Sequence, residues 1–206
     1  MKTLMPSGVY DFSLESSQKF QQLLVQTAAL FQKNGCVRIK TPTVEFYDTL
    51  KVGMSPLLQE RSVKLPDSSG KIMVLRPDLT LTTARFVASQ LKESDLPQKL
   101  FYQDSIFESY DDIELFQVGA EFIGLKGYQT DADLIAMCIE LMLAMGIQDF
   151  GIDIGHSQFV QGKTEAEKQA LIDMDYVSLG YIPECGGREL AEGYPDLLGI
   201  YDALKD

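Results

Sequence analysis

The sequence predicts an α+β domain with a mostly antiparallel sheet flanked by helices, and three observations predict it. The chain opens on one long amphipathic helix. Two hairpin patterns follow, interrupted by helices instead of alternating with them strand by strand. The connections inside each hairpin are too short for the crossovers that a parallel sheet requires. At 206 residues the chain is long enough for one domain with a substantial core.

The opening helix is predicted over residues 13–34. Phe20, Leu23, Leu24, Thr27, Ala28 and Phe31 recur at helical spacing and make one apolar stripe. Ser13 suits the N-cap, Glu15 the first turn, and Asn34-Gly35 a C-terminal stop. A strand follows over 36–39, halted by Thr41-Pro42, and then a short helix over 45–50. Residues 62–65 and 71–75 read as a hairpin around the turn-rich Pro66-Asp-Ser-Ser-Gly70. A helix over 79–91 begins just after Arg76-Pro77. Residues 99–109 and 114–124 form a second antiparallel pair. An apolar helix over 131–145, capped by Thr130 and followed by Gly146, precedes a strand over 149–154. Beyond His156 the chain reads as helical, with breaks near Gly162, Gly180 and Gly186-Gly187, and ends on a helix over 197–204. The Leu and Met run over 134–145 reads as core.

Composition narrows the function. The chain is 45% hydrophobic with 16 Gly and 8 Pro, an ordinary globular make-up. Its net charge of −12 argues against a broad phosphate-binding surface, because nucleic-acid affinity comes largely from Lys and Arg displacing counterions. No apolar run could span a bilayer, and the start MKTLMPSGVYDF has no signal-peptide core, so a soluble cytoplasmic protein is expected. Cys36, Cys138 and Cys185 are widely spaced and odd in number. They give no disulfide framework, and with His156 as the one histidine they give no zinc signature, so each reads as a small buried residue.

The chemistry-bearing residues gather in two segments. In the predicted strand around Phe116-Gln-Val-Gly-Ala-Glu-Phe122, Gln117, Gly119 and Glu121 share one face, while Phe116, Val118, Ala120 and Phe122 share the other. An amide, a gap and a carboxylate on one face can hold an ammonium or a polar ring nitrogen, with Gly119 leaving room for a ligand or another backbone. A plain solvent-facing strand side would read the same way. In Val74-Leu-Arg-Pro-Asp-Leu-Thr80, Asp78 and Thr80 stand at a strand-to-helix junction, where such residues usually cap. If that strand adjoined the 114–124 strand, Asp78 and Glu121 would share one acidic pocket suited to an α-amino group. The acidic loop 110–114 lacks the spacing of a calcium loop, and no metal ligand set or cofactor motif is found. His156 reads as structural and Cys185-Gly-Gly-Arg188 as a break between helices.

In order and spacing, MPSGVYDF, RIKTPTVEFYDTL, MVLRPDLT, KLFYQDSIFES…ELFQVGAEFIG and IDIGHSQF resemble the catalytic core of the histidyl-tRNA synthetase family, over roughly residues 5–160. RIKTPTVEFYDTL is similar to motif 1 of class II aminoacyl-tRNA synthetases and the 99–124 hairpin to motif 2. The resemblance implies a class II synthetase-like core in a single domain over 1–206, with about 160–206 a helical C-terminal extension and no anticodon-binding domain. It also implies that Asp78, Thr80, Gln117 and Glu121 line a histidine pocket.

The departures from that family bear on function. Where the synthetases place an Arg that grips the α-phosphate and the amino-acid carboxylate, this chain has Glu108. The hairpin is short and acidic, with Asp111, Asp112 and Glu114. A carboxylate beside a triphosphate repels it, and Arg to Glu reverses the sign of the transition-state contact. No segment resembling motif 3 follows, and Arg188 is followed by Glu189-Leu190 instead of a Tyr-Asp histidine loop. Aminoacylation is therefore expected to be absent.

A core of this kind resembles the regulatory-subunit family of ATP phosphoribosyltransferase. That resemblance implies a non-catalytic subunit partnering the short-form catalytic subunit in the first step of histidine biosynthesis, required for activity and for feedback inhibition. It further implies a dimer through the motif 1-like segment and L-histidine as a ligand; the charge and the lack of a long apolar run lead to the expectation of no nucleic acid or membrane partner. An N-terminal synthetase fragment and a lone histidine sensor remain open as alternatives at this point.

Overall fold

The structure is a computed structural model that describes residues 6, 8–109, 113–152, 154 and 164. It divides into two compact units, Met1–Leu125 and Lys126–Asp206. Helix α1 (Leu14–Lys33) is capped by the Ser13 hydroxyl, which accepts from the Ser16 N–H at 3.1 Å. It ends where Asn34 donates back to Leu30 and Gly35 adopts φ +79°. Its stripe is the predicted one, with Thr27 and Phe31 buried.

Strand β1 (Val37–Arg38) is followed by β2 (Val44–Phe46), α2 (Tyr47–Leu50), α3 (Pro56–Arg61), β3 (Lys64–Pro66) and β4 (Ile72–Leu75). Helix α4 (Leu79–Gln90) leads to the long pair β5 (Gln98–Phe107) and β6 (Glu114–Ile123). Two three-stranded sheets result, in the orders β1-β5-β6 and β2-β4-β3. All pairings are antiparallel except β1 with β5. In the second unit, α5 (Tyr128–Ala144) starts at Gly127 and is followed by Gly146 at φ +84°.

Register explains how β5 and β6 build a two-faced platform. Tyr102 lies opposite Gly119, Asp104 opposite Gln117 and Leu100 opposite Glu121, so these six share one face. The other face meets α1. Phe31 stacks on Phe101 at 4.9 Å between centroids, and Phe20 meets Phe116 edge-on at 4.9 Å. Gln103 donates to the Leu24 carbonyl and to the Thr27 hydroxyl. Burying Phe31 and Phe101 contributes about 2–3 kcal/mol each. The second sheet packs Val74 against Leu50 and Met54, with Tyr47, Leu58 and Leu81 at the margin.

Arg76 joins the two sheets. It is buried just past the end of β4, where its guanidinium pairs with Asp104 at 2.5 Å and donates to the Ser105 and Thr41 carbonyls at 2.7 and 2.9 Å. The Phe107 N–H completes the junction by donating to the Arg76 carbonyl at 3.0 Å.

Several expectations need correction. Residues 45–46 belong to β2, not to a helix, because pairing with Val74 and Met73 outweighs helical propensity over so short a stretch. The strand before Asp78 does not adjoin β6; β4 lies between β2 and β3. Thr130 is not the cap of α5. The helix starts earlier at Tyr128, and the Thr130 hydroxyl donates back to the Lys126 carbonyl at 3.3 Å. Residues 149–152 form no strand. Of the run read as core, Met137 is buried and Leu143 is 51% exposed. Cys36 is buried, but Cys138 is exposed, one helical step of about 100° round from Met137. His156, Cys185 to Arg188, the 197–204 helix and the hairpin tip with Asp111 and Asp112 lie outside the described residues. Among the described residues no helix is long and apolar enough to cross a membrane, and no three His, Cys, Asp or Glu side chains gather as metal ligands.

Candidate functional site

The face of β5–β6 turned away from α1 is covered at one point by the start of α4. Asp78 is the N-cap of that helix, its Oδ1 accepting from the Leu81 N–H at 2.8 Å. Its second oxygen is free of that duty and accepts from Gln117 Nε2 at 3.1 Å. The Gln117 carbonyl oxygen in turn accepts from the Leu79 N–H at 2.8 Å, one of the donors a helix start leaves unpaired. One carboxylate thus both caps α4 and contacts β6. The cross-over to β6 that strand adjacency does not supply is made by the helix N-terminus.

A second chain of contacts runs alongside. The Thr80 hydroxyl lies 3.1 Å from the Tyr102 phenol, which donates to Glu121 Oε1 at 3.1 Å. Asp78, Thr80, Gln117 and Glu121 therefore do come together, in two short relays that both begin at the first residues of α4. Asp78, Gln117 and Glu121 are half-buried and Thr80 is exposed, so the group is open to a ligand.

Tyr102 was not singled out from the sequence. It is buried, and its ring occupies the space over Gly119, where an added Cβ would stand 2.6 Å from the phenol oxygen. Gly119 thus makes room for Tyr102, not for a ligand. Cross-strand pairing of an aromatic with a glycine is a recurrent device in sheets, and counting register back from the hairpin would have found it. Burial, with the Glu121 and Asp78 carboxylates also contributing, pushes the Tyr102 phenol up to about 12, so it keeps its proton across the neutral range.

At the far end of β5, Glu108 pairs with Arg61 at 3.9 Å and bridges to Ser62. Ser109 donates through both its N–H and its hydroxyl to the Arg61 carbonyl. The base of the hairpin is thereby tied to the end of α3, an element the sequence reading missed.

A long helix backing a motif 2-like hairpin, with an amide and two carboxylates on the opposite face, defines a protein with a class II synthetase-like core. The chain belongs to the histidyl-tRNA synthetase family, whose family model matches residues 8–172. Among curated proteins, an ATP phosphoribosyltransferase regulatory subunit from Clostridium novyi is 33% identical over 164 residues, covering 77% of this chain and 39% of that protein. The same-named subunit from Ruminiclostridium cellulolyticum is 31% identical over 207 residues, covering 98% of this chain and 48% of the relative. Among solved structures, an ATP phosphoribosyltransferase regulatory subunit/histidyl-tRNA synthetase from Bacillus halodurans matches all of this chain and 65% of its own, with a TM-score of 0.86 and 26% identity. The chain spans about half the length of the curated relatives it matches, or less.

Proposed function

We propose that this chain acts as a non-catalytic regulatory subunit of ATP phosphoribosyltransferase. It would bind the short-form catalytic subunit in the first step of histidine biosynthesis, switching it on and conferring feedback inhibition. The observation that carries the reading is Glu108. It stands at the end of β5, where the synthetase resemblance calls for a phosphate-gripping Arg, and its ion pair with Arg61 holds a carboxylate at that place. A carboxylate there repels a nucleoside triphosphate. The names of the curated relatives support the same reading.

In this reading Asp78, Thr80, Gln117 and Glu121 hold L-histidine through its ammonium and ring, and the motif 1-like segment pairs two copies. The mechanism is a population shift: histidine favours one assembly state, and the coupling is reciprocal between the two proteins.

The test is phosphoribosyltransferase turnover of a short-form catalytic subunit from the same source, with and without this chain, over a histidine series. Activation that histidine reverses is the expected result. No activation and no co-elution would overturn the reading. Histidine-dependent ATP–pyrophosphate exchange by the chain itself would return it to the synthetases.

A further inference from the structure

Each hydrogen bond around Asp78, Thr80, Gln117 and Glu121 runs in one direction. The Gln117 amide has one possible orientation. Its oxygen faces the Leu79 N–H and its nitrogen faces Asp78 Oδ2; the flipped amide would set donor against donor and oxygen against carboxylate. The second relay is ordered in the same way. Tyr102 has a single hydroxyl proton, and a carboxylate only accepts. Once that proton goes to Glu121 Oε1, the phenol oxygen can only accept from Thr80. The Thr80 proton is then committed inward, and the Thr80 oxygen turns its lone pairs to whatever occupies the pocket.

We propose that Tyr102 is the positioning residue of this pocket. By spending its one proton on Glu121 it makes Thr80 an acceptor, so the pocket prefers a ligand carrying an ammonium to one carrying a hydroxyl at the same place. The inference rests on the amino-acid-pocket reading above. An ammonium has three donors and meets the Thr80 acceptor with donors to spare. An alcohol has one donor and leaves an acceptor facing an oxygen lone pair, an unmade contact. Tyr102 does this without touching the ligand, since it is buried beneath Thr80 and over Gly119. Its raised pKa keeps the relay ordered through neutral and mildly alkaline solution.

The experiment is calorimetric titration of the full chain with L-histidine and with its 2-hydroxy analogue, in the unaltered protein and in Tyr102→Phe. The expected result is a preference for histidine that falls at least about tenfold in Tyr102→Phe, because the Thr80 hydroxyl can now rotate and donate to the alcohol. The thermal midpoint serves as the fold control. In a Thr80→Val background the same Phe substitution should leave the preference unchanged, which a purely structural effect of the phenol would not do. An unaltered preference in Tyr102→Phe, with histidine still bound, overturns the role of Tyr102 alone. Failure of the unaltered chain to bind either compound overturns both this inference and the amino-acid-pocket reading on which it rests.

Discussion

Gly119 and Tyr102 form one unit in which the glycine exists for the tyrosine. Gly119→Ala sets a methyl 2.6–2.7 Å from the phenol of the buried Tyr102, so the ring must shift. The expected loss is about 1–3 kcal/mol, read from the denaturant midpoint, with weaker ligand binding as Tyr102 is pushed off Thr80 and Glu121. The phenol also links stability to pH. Below pH 10 the folded and unfolded chains both hold its proton and the contribution is complete. Between the ordinary value of 10.0 and about 12 the unfolded chain releases that proton while the folded chain retains it. Stability therefore falls as pH rises through this window. Unfolding curves from pH 9 to 12 should show a drop that is smaller in Tyr102→Phe. None of this is visible in the residues around Tyr102 itself. It depends on a pairing that exists only once the register of the hairpin is known, whereas Gln117 and Glu121 advertise themselves by alternation within a single strand.

At the scale of elements, α4 is where sequence and site meet. Asp78→Asn keeps an oxygen for the Leu81 N–H and so keeps the cap, but it removes the negative charge and turns an NH2 toward the Gln117 NH2, so that hydrogen bond is lost. Affinity for a cationic ligand should fall, and stability should fall by about 1 kcal/mol for the unmade contact with Gln117. Asp78→Ala should lose about 1 kcal/mol more, because the cap goes too. Comparing the two variants by thermal melting and titration separates the cap from the pocket. The elements most legible in the sequence are those with many repeats of their period: α1 with its six-position stripe, α4, and the β5–β6 pair. Short elements were not. Val44-Glu-Phe46 is strand because β4 lies beside it, and Pro56–Arg61 is a turn and a half whose local signals are the Ser55 cap and Pro56 at its first position. Gln117 and Glu121 were legible by strand alternation and Asp78 as a cap, but the route by which Asp78 reaches Gln117 was not.

At the scale of the whole molecule, the two sheets of the first unit are coupled through Arg76. Its side chain is 1% exposed and that of its partner Asp104 is 29% exposed, so the two ends of the pair are not equivalent. Asp104→Ala strands a buried guanidinium and should cost about 3–5 kcal/mol. Arg76→Met leaves behind a carboxylate that water can reach and should cost less. Chemical denaturation of both variants tests that order, and equal losses would mean that the charge is not what binds the sheets.

The two oxygens of Asp78 lead to a practical consequence. The Leu81 amide hydrogen is held by the oxygen that caps the helix, while the Leu79 amide hydrogen is held by Gln117, inside the site. A ligand held by Asp78 and Gln117 should move both amide resonances, the Leu81 shift following the Asp78 carboxylate and the Leu79 shift the Gln117 amide. The first turn of α4 would thus carry two reporters two residues apart, one for each polar group that it brings against β6.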